Sequence, residues 1–185
     1  MADVGIETLT AAAARRERVA LVALLRNVVD DGGSVGFLPP LSAEEAGAYW
    51  EGVAVAVDGG ARLLWVARDA GSTAIAGSII GTVQLDLEKR ANGDHRAEVI
   101  KLMVHTSGRR RGVGRALMLV VQEEARRRGR QTLVLDTRQG DPSEALYRSL
   151  GWTFAGAIPQ YARSANGALH ATAIYYLLLG EHHGR

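Results

Sequence analysis

The chain has 185 residues, of which 47% are hydrophobic and 23% charged, the composition of an ordinary globular protein rather than a disordered or fibrous one. It contains no cysteine, which excludes a disulfide framework, a thiolate zinc site and a cysteine nucleophile, and its formal charge of +2 is no nucleic-acid footprint unless the positive residues are concentrated. They are concentrated at Arg109 to Arg111 and at Arg126 to Arg128; the longest apolar stretches fall far short of a membrane span, and Arg15 to Arg18 interrupt any signal-peptide character, so the expectation is a cytoplasmic chain forming one domain over 1–185.

From Thr10 to Val29 apolar residues recur at helical spacing, and Asp30 to Gly33 close the segment, predicting a first helix. Ser42, with Glu45 three residues on, has the pattern of a capping box and predicts a second helix to about Val57. Arg62 to Arg68 and Ile75 to Leu87 are rich in Leu, Ile, Val and Trp with turn residues between them, which predicts a β-hairpin. After the Asn92-Gly93-Asp94 turn, Ala97 to Val104 predicts a third antiparallel strand. Val113, Leu117, Val120, Val121 and Ala125 form one apolar stripe of a helix that Gly129 ends, with Glu123, Glu124 and the second arginine cluster outside. Thr132 to Thr137 reads as a buried strand, Ser143 to Leu150 as a short helix before Gly151, and Trp152 to Ile158 and Ala171 to Leu178 as the last strands. The result is a mixed α/β layer structure, with no internal repeat or linker.

The informative segment is SGRRRGVGRAL, Ser107 to Leu117, between a predicted strand and a predicted helix. A glycine turn at a helix start leaves backbone N–H groups without helical partners, and with the helix dipole these bind phosphate oxygens. Gly112 and Gly114 permit close approach, and arginines flank the same anion. A nucleotide-triphosphate P-loop requires Gly-Lys-Ser/Thr, and no lysine is present there. The dinucleotide fingerprint requires Gly-x-Gly-x-x-Gly in a parallel βαβ unit, which the order Gly108, Gly112, Gly114 after antiparallel strands does not supply.

The pattern Arg-x-x-Gly-x-Gly, Arg109 to Gly114, after a strand ending in LMV resembles the acetyl-CoA pyrophosphate loop of the GNAT superfamily of N-acetyltransferases. EALYRSLGW, Glu144 to Trp152, is similar to that family's Leu-Tyr-x-x-x-Gly-Phe segment, with Trp152 in place of phenylalanine, and the resemblance covers nearly the whole chain. It implies an α/β GNAT fold, a mixed central sheet of about six to seven strands flanked by four helices, with splayed strands forming an acetyl-CoA cleft. SVGF (Ser34 to Phe37), AEVIKLMV, LVLDT (Leu133 to Thr137) and LHATAIYYLLLG (Leu169 to Gly180) are closer still to a member that N-acetylates a β-lactam-precursor dipeptide toxin, implying a small-molecule amine as acceptor. Gly140 departs from the wider pattern, in which many members carry asparagine seven residues before the tyrosine.

The implied reaction is direct acetyl transfer from a thioester to an amine, which needs a deprotonated nucleophile, an oxyanion stabiliser and a proton source for the thiolate. The resemblance points to Glu98 and Asp136 for holding the ammonium and accepting its proton, and to Tyr147 as general acid. Backbone N–H groups of Met103 and Val104 would polarise the thioester carbonyl. Leu102, Met103 and Val104 would pair with the pantetheine arm, and Arg109, Arg110, Arg111, Gly112, Val113, Gly114 and Arg115 would bind the pyrophosphate. The alternatives are that Glu98 pairs with Lys101 or Arg96, Asp136 pairs with Arg138, and Tyr147 is a core aromatic. Phe37, Tyr49 and Trp50 either wall the acceptor pocket or close a core. Arg126 to Arg128 read as a solvated helix face. His95, His105 and His170 read as turn or surface residues, His182 and His183 as a polar tail, and no spacing supports a metal site. The apolar C-terminal strand is compatible with a homodimer and equally with an edge covered inside one subunit. Two rivals to the enzyme are a noncatalytic acyl-CoA sensor and a module contacting nucleic acid through its arginine clusters; a protein or peptide amine is the other class of acceptor.

Overall fold

The computed structural model describes residues 4–69 and 78–180. Seven strands form one sheet in the order β1-β2-β3-β4-β5-β7-β6: β1 (Val4–Thr8), β2 (Arg62–Asp69), β3 (Ile79–Leu87), β4 (Arg96–Val104), β5 (Thr132–Arg138), β6 (Thr153–Arg163) and β7 (Leu169–Leu178). All neighbours pair antiparallel except β4 and β5, which are parallel. The helices are α1 (Ala11–Arg16), α2 (Arg18–Asp30), α3 (Ala43–Asp58), α4 (Val113–Arg127) and α5 (Ser143–Ser149).

Each sheet face buries its own core. On one side Leu21, Leu24, Leu25, Trp50 and Val53 of α2 and α3 cover Leu64, Val66 and Met103. On the other, Val113, Leu117, Met118, Val121 and Ala125 of α4 cover Val83, Leu85, Val99, Leu133 and Leu135, together with Tyr147 and Trp152. Strand alternation explains the division, because successive side chains leave on opposite faces. Gly81 lets α4 approach β3: a Cβ there would lie 2.9 Å from Val113 Cγ1 and 3.1 Å from Leu117 Cδ1.

Most predicted elements form, with differences that have local causes. The first predicted helix is two, broken at Glu17, whose carboxylate accepts from Arg68 of β2 at 3.1 Å. Thr10 caps α1 by accepting from the Ala13 N–H at 3.2 Å, and Ser42 caps α3 by accepting from the Glu45 N–H at 3.0 Å. Strand β1, absent from the sequence reading, is short and mostly exposed, and forms because the edge of β2 offers it a full ladder from Val4↔Asp69 to Thr8↔Trp65. Residues 75–77 of the predicted second hairpin strand lie outside the described residues, as do His182 and His183. The last two strands run longer than their apolar cores because their pairing continues to Arg163↔Leu169. The C-terminal strand β7 is paired on both sides, so its apolar character serves one chain, and the outer edge is β6.

Candidate active site in the cleft between the parallel strands

β4 and β5 pair only at Arg96↔Thr132, Ala97↔Leu133 and Glu98↔Val134. Beyond these rungs they part, leaving a cleft between the carboxyl ends of two strands that are paired on their other sides. β4 is also irregular on its β3 side: the register slips between Thr82↔Met103 and Gln84↔Ile100, and Lys101 at the slip takes φ 53. A bulge of this kind bends its strand and re-aims the side chains beyond it. His105 N–H donates to Ile80 O at 2.9 Å, so strand alternation returns the Met103 N–H to β3 and turns the Val104 N–H towards the cleft.

Cross-strand partners share a face, so the register places Arg62, Asp86 and Glu98 in one row, with Asp136 two positions beyond Glu98's partner Val134. Arg62 holds Asp86 through both carboxylate oxygens and also donates to Gln84 Oε1 at 3.1 Å. Gln84 in turn donates to the Tyr49 hydroxyl at 2.8 Å, and burial pushes that phenol up to about 12. Neither predicted carboxylate takes the partner proposed as its alternative. Arg96 pairs with Glu88 at 3.0 Å and Arg138 with Asp141 at 3.0 Å. No hydrogen bond or ion pair to Glu98 is found among the described residues, and Asp136 accepts from Thr172 Oγ1 at 3.0 Å.

Desolvation first, then the charges of Asp136 and Asp86, raise the Glu98 pKa, against the lowering effect of Lys101 and Arg96. Lys101 moves the other way: burial lowers its pKa, helped by the Arg62 charge and opposed by Asp136, Glu98 and Asp86. A group of acids and one half-buried lysine therefore shares this face, with the two functions shifted towards each other.

Tyr147 approaches from the α5 side. It is 6% exposed and packs against Trp152 and Tyr175 with ring centroids 6.2 and 6.0 Å away. Burial is the main cause of its raised pKa, the Asp136 charge adds to it, and a hydrogen bond with Ser143 opposes it. It packs within the core, and its raised pKa keeps the hydroxyl protonated across the neutral range.

The glycine turn lies at the wide end of the cleft. Gly112 caps α4 with φ 82, without a side-chain cap bond, and a Cβ there would meet nothing within 4 Å. The first intrahelical bond recorded at this end is Ala116 N–H to Gly112 O at 3.0 Å, so the N–H groups of Val113, Gly114 and Arg115 lack a helical acceptor. The turn is held from α2: Asn27 exchanges two bonds with Thr106, at 3.0 and 3.1 Å, and Asp31 pairs with Arg109 at 2.5 Å. Arg111 holds Asp69 with two bonds of 2.9 Å, and Arg115 donates to Ser149 Oγ at 2.7 Å. Exposed Arg110, at φ 59, makes no ion pair among the described residues. Arg126, Arg127 and Arg128 instead pair along their own helix with Glu123 and Glu124.

A polar knot fixes α5. Glu144, 7% exposed, accepts from Gly140 N–H at 2.6 Å, from Arg148 at 2.9 Å and from the Tyr175 hydroxyl. Gly140, the departure noted in the sequence, adopts φ 89, a conformation glycine takes without strain. The Tyr175 bond, then the Gly140 N–H, hold the Glu144 pKa below the usual carboxylate range. A depressed carboxylate stabilises the fold above its unfolded pKa and loses that contribution as pH falls through the folded value. Glu144→Gln is therefore expected to lose about 2 kcal/mol of stability at neutral pH, with the gap narrowing in acid, as denaturant unfolding at both pH values will measure.

A cavity of about 400 Å³ opens between the loop joining α2 to α3 and the turn joining β6 to β7. Phe37 lines it and meets Tyr49 edge-on at 5.3 Å, whereas Trp50, 2% exposed, belongs to the core. Its walls are these two loops with Val29, Arg138 and the last residues of β6, Ala162 and Arg163. Lys101, Arg62, Asp86 and Arg138 were missed as site residues, since only the strand register brings them together. Among the described residues no cluster of His, Asp and Glu is arranged to hold a metal, and no helix is long and apolar enough to cross a membrane.

A mixed sheet opened between parallel strands, with a glycine turn at one mouth and carboxylates on one face, defines an acyl-transfer architecture. The chain belongs to the acetyltransferase (GNAT) family, whose model matches residues 37–152. It is 34% identical over 115 residues to an uncharacterized N-acetyltransferase in the hisH-hisA intergenic region of Azospirillum brasilense, a match spanning 61% of this chain and 63% of that protein. Its fold is that of a GCN5-related N-acetyltransferase from Kribbella flavida (TM-score 0.75, 22% identity, 95% of this chain and 97% of that one). It also matches a Salmonella typhimurium protein solved with its cofactor acetyl-CoA (TM-score 0.74, 19% identity, 99% and 98%).

Proposed function

We propose that the chain is an acetyl-CoA-dependent N-acetyltransferase that acts on an amine of a small molecule. The observation that carries this reading is the parting of β4 and β5 after Glu98↔Val134, which opens strand backbone to a ligand while the sheet stays intact on both sides. The residues present suit acetyl-CoA. Gly112 leaves open space before the unpaired N–H groups of Val113, Gly114 and Arg115, a cradle for pyrophosphate, flanked by Arg110 and Arg115, which make no ion pair among the described residues. Arg109 and Arg111, already joined to Asp31 and Asp69, serve first to set the shape of the turn. The stretch from Leu102 to Val104 supplies the parted strand edge for the pantetheine arm, with the Met103 N–H turned to β3 and the Val104 N–H turned to the arm. When bound, acetyl-CoA supplies an acetyl thioester.

The protein's own groups then divide the work. The Val104 N–H, turned from β3, is the better placed of the two backbone donors to stabilise negative charge on a carbonyl oxygen. Glu98 and Asp136 hold the acceptor ammonium, and Glu98, with its raised pKa, takes the proton, directly or through water. Tyr147, whose raised pKa keeps its hydroxyl protonated, would donate that proton to the departing thiolate. Resemblance of four segments to the tabtoxin resistance acetyltransferase supports a toxin- or antibiotic-like amine. Incubation with acetyl-CoA and a panel of small amines, read by mass spectrometry, tests the proposal: acetylated amine supports it, and thioester hydrolysis alone or no reaction opposes it.

Self-association is assigned to the outer strand β6, which exposes Phe154, Ile158 and Tyr161 at 45%, 43% and 57%. Sedimentation is expected to show a dimer that Ile158→Lys disrupts; a monomer at every wild-type concentration would remove the assignment.

A further inference from the structure

The face that carries Glu98 and Asp136 continues along β5 to Arg138, the next residue of the same parity. Two residues of strand separate the Asp136 and Arg138 backbone positions by about 7 Å. The Arg138 side chain is 22% exposed and lines the cavity, whose lining includes neither Glu98 nor Asp136. Its guanidinium is fixed from three sides: it donates to Asp141 at 3.0 Å, to Ser164 Oγ at 3.3 Å and to Gly32 O at 3.1 Å. A guanidinium has five N–H donors, so two remain unused among the described residues. The cavity lining contains two arginines, Arg138 and Arg163, and no carboxylate. A third cation adjoins it: a Cβ on Gly36, in the wall, would lie 3.4 Å from Lys101 Nζ. The acceptor side thus has an acidic end at Glu98 and Asp136 and a cationic end in the cavity.

We propose that Arg138 is a specificity-determining residue that binds a carboxylate of the acceptor, so that the substrate carries both an amine and a carboxylate, as in an amino acid or a short peptide. This rests on the reading that an amine is acetylated at Glu98 and Asp136. A guanidinium held by two loops is already oriented when the carboxylate arrives, and its planar fork suits two carboxylate oxygens. The ties to Gly32 and Ser164 join the two loops that form the walls, so the same side chain shapes the cavity and recognises what enters it.

The test uses dialanine and 5-aminopentanoate, each beside its carboxamide, with kcat and KM measured for wild type, Arg138→Met, Arg138→Lys and Ser164→Ala. Wild type is expected to favour each acid over its amide by about tenfold or more in kcat/KM. Arg138→Met should collapse that ratio towards one through the KM of the acid, Arg138→Lys should restore part of it, and Ser164→Ala, which removes a loop tie but leaves the charge, should keep it. A wild-type preference for the amides, or a ratio unmoved in Arg138→Met, overturns the inference. Thermal unfolding with acetyl-CoA separates two kinds of failure. If no panel member is acetylated while acetyl-CoA still stabilises the protein, the carboxylate inference falls alone; if stabilisation is also absent, the proposed function falls with it.

Discussion

Glu98→Gln is expected to lower kcat for amine acetylation on the order of a hundredfold or more, because a positioned base contributes at least that much to proton transfer, while acetyl-CoA binding stays near wild type. The acid limb of the wild-type pH profile should lie above the ordinary carboxylate range, since desolvation and the Asp136 and Asp86 charges raise the Glu98 pKa, and this limb should vanish in the variant. Stability supplies an independent readout. An acid whose folded pKa is raised contributes stability in its protonated form, present below the unfolded pKa and lost as pH rises through the folded one. Glu98→Gln should therefore unfold at a higher temperature than wild type at neutral pH, with the advantage disappearing in acid. Asp136→Asn is expected to lower turnover too, and by weakening acceptor binding to raise KM. Full turnover in both variants would remove the carboxylates from the mechanism.

Gly112→Asp is expected to weaken acetyl-CoA binding by about a hundredfold or more, since it sets a negative charge before the unpaired N–H groups of a helix terminus meant for an anion. Folding should survive. A Cβ at Gly112 meets nothing within 4 Å, and aspartate tolerates a left-handed backbone better than most residues, so the cost is about 1 kcal/mol. Binding calorimetry beside thermal unfolding of the free variant checks both halves. Gly112→Ala should fall between the two proteins, because it adds the strain without the charge.

The sequence made most of the architecture legible because each helix and inner strand carries its own signal: the stripe from Val113 to Ala125, the Ser42 cap, the apolar run at Leu133. Strand β1 escaped because its five residues bury little and owe their shape to the edge of β2. The glycine turn was readable from spacing alone, whereas its bracing by Asn27 and Asp31 was not, since those contacts span about eighty residues of chain. Glu98, Asp136 and Tyr147 came from resemblance, and the structure adds their surroundings. Lys101 was legible only as a potential partner of Glu98, because a bulge that re-aims a side chain leaves no periodic trace. Arg138 looked like a partner for Asp136; alternation along β5 puts both on one face, but loops from distant segments decide what each one holds.

The most direct measurement is calorimetric titration of acetyl-CoA into wild type and Glu98→Gln in parallel, followed by the amine panel on both. The account predicts saturable binding of similar strength in the two proteins and acetyl transfer that collapses only in Glu98→Gln. Absence of acetyl-CoA binding to wild type would contradict it, and so would equal transfer by the two proteins.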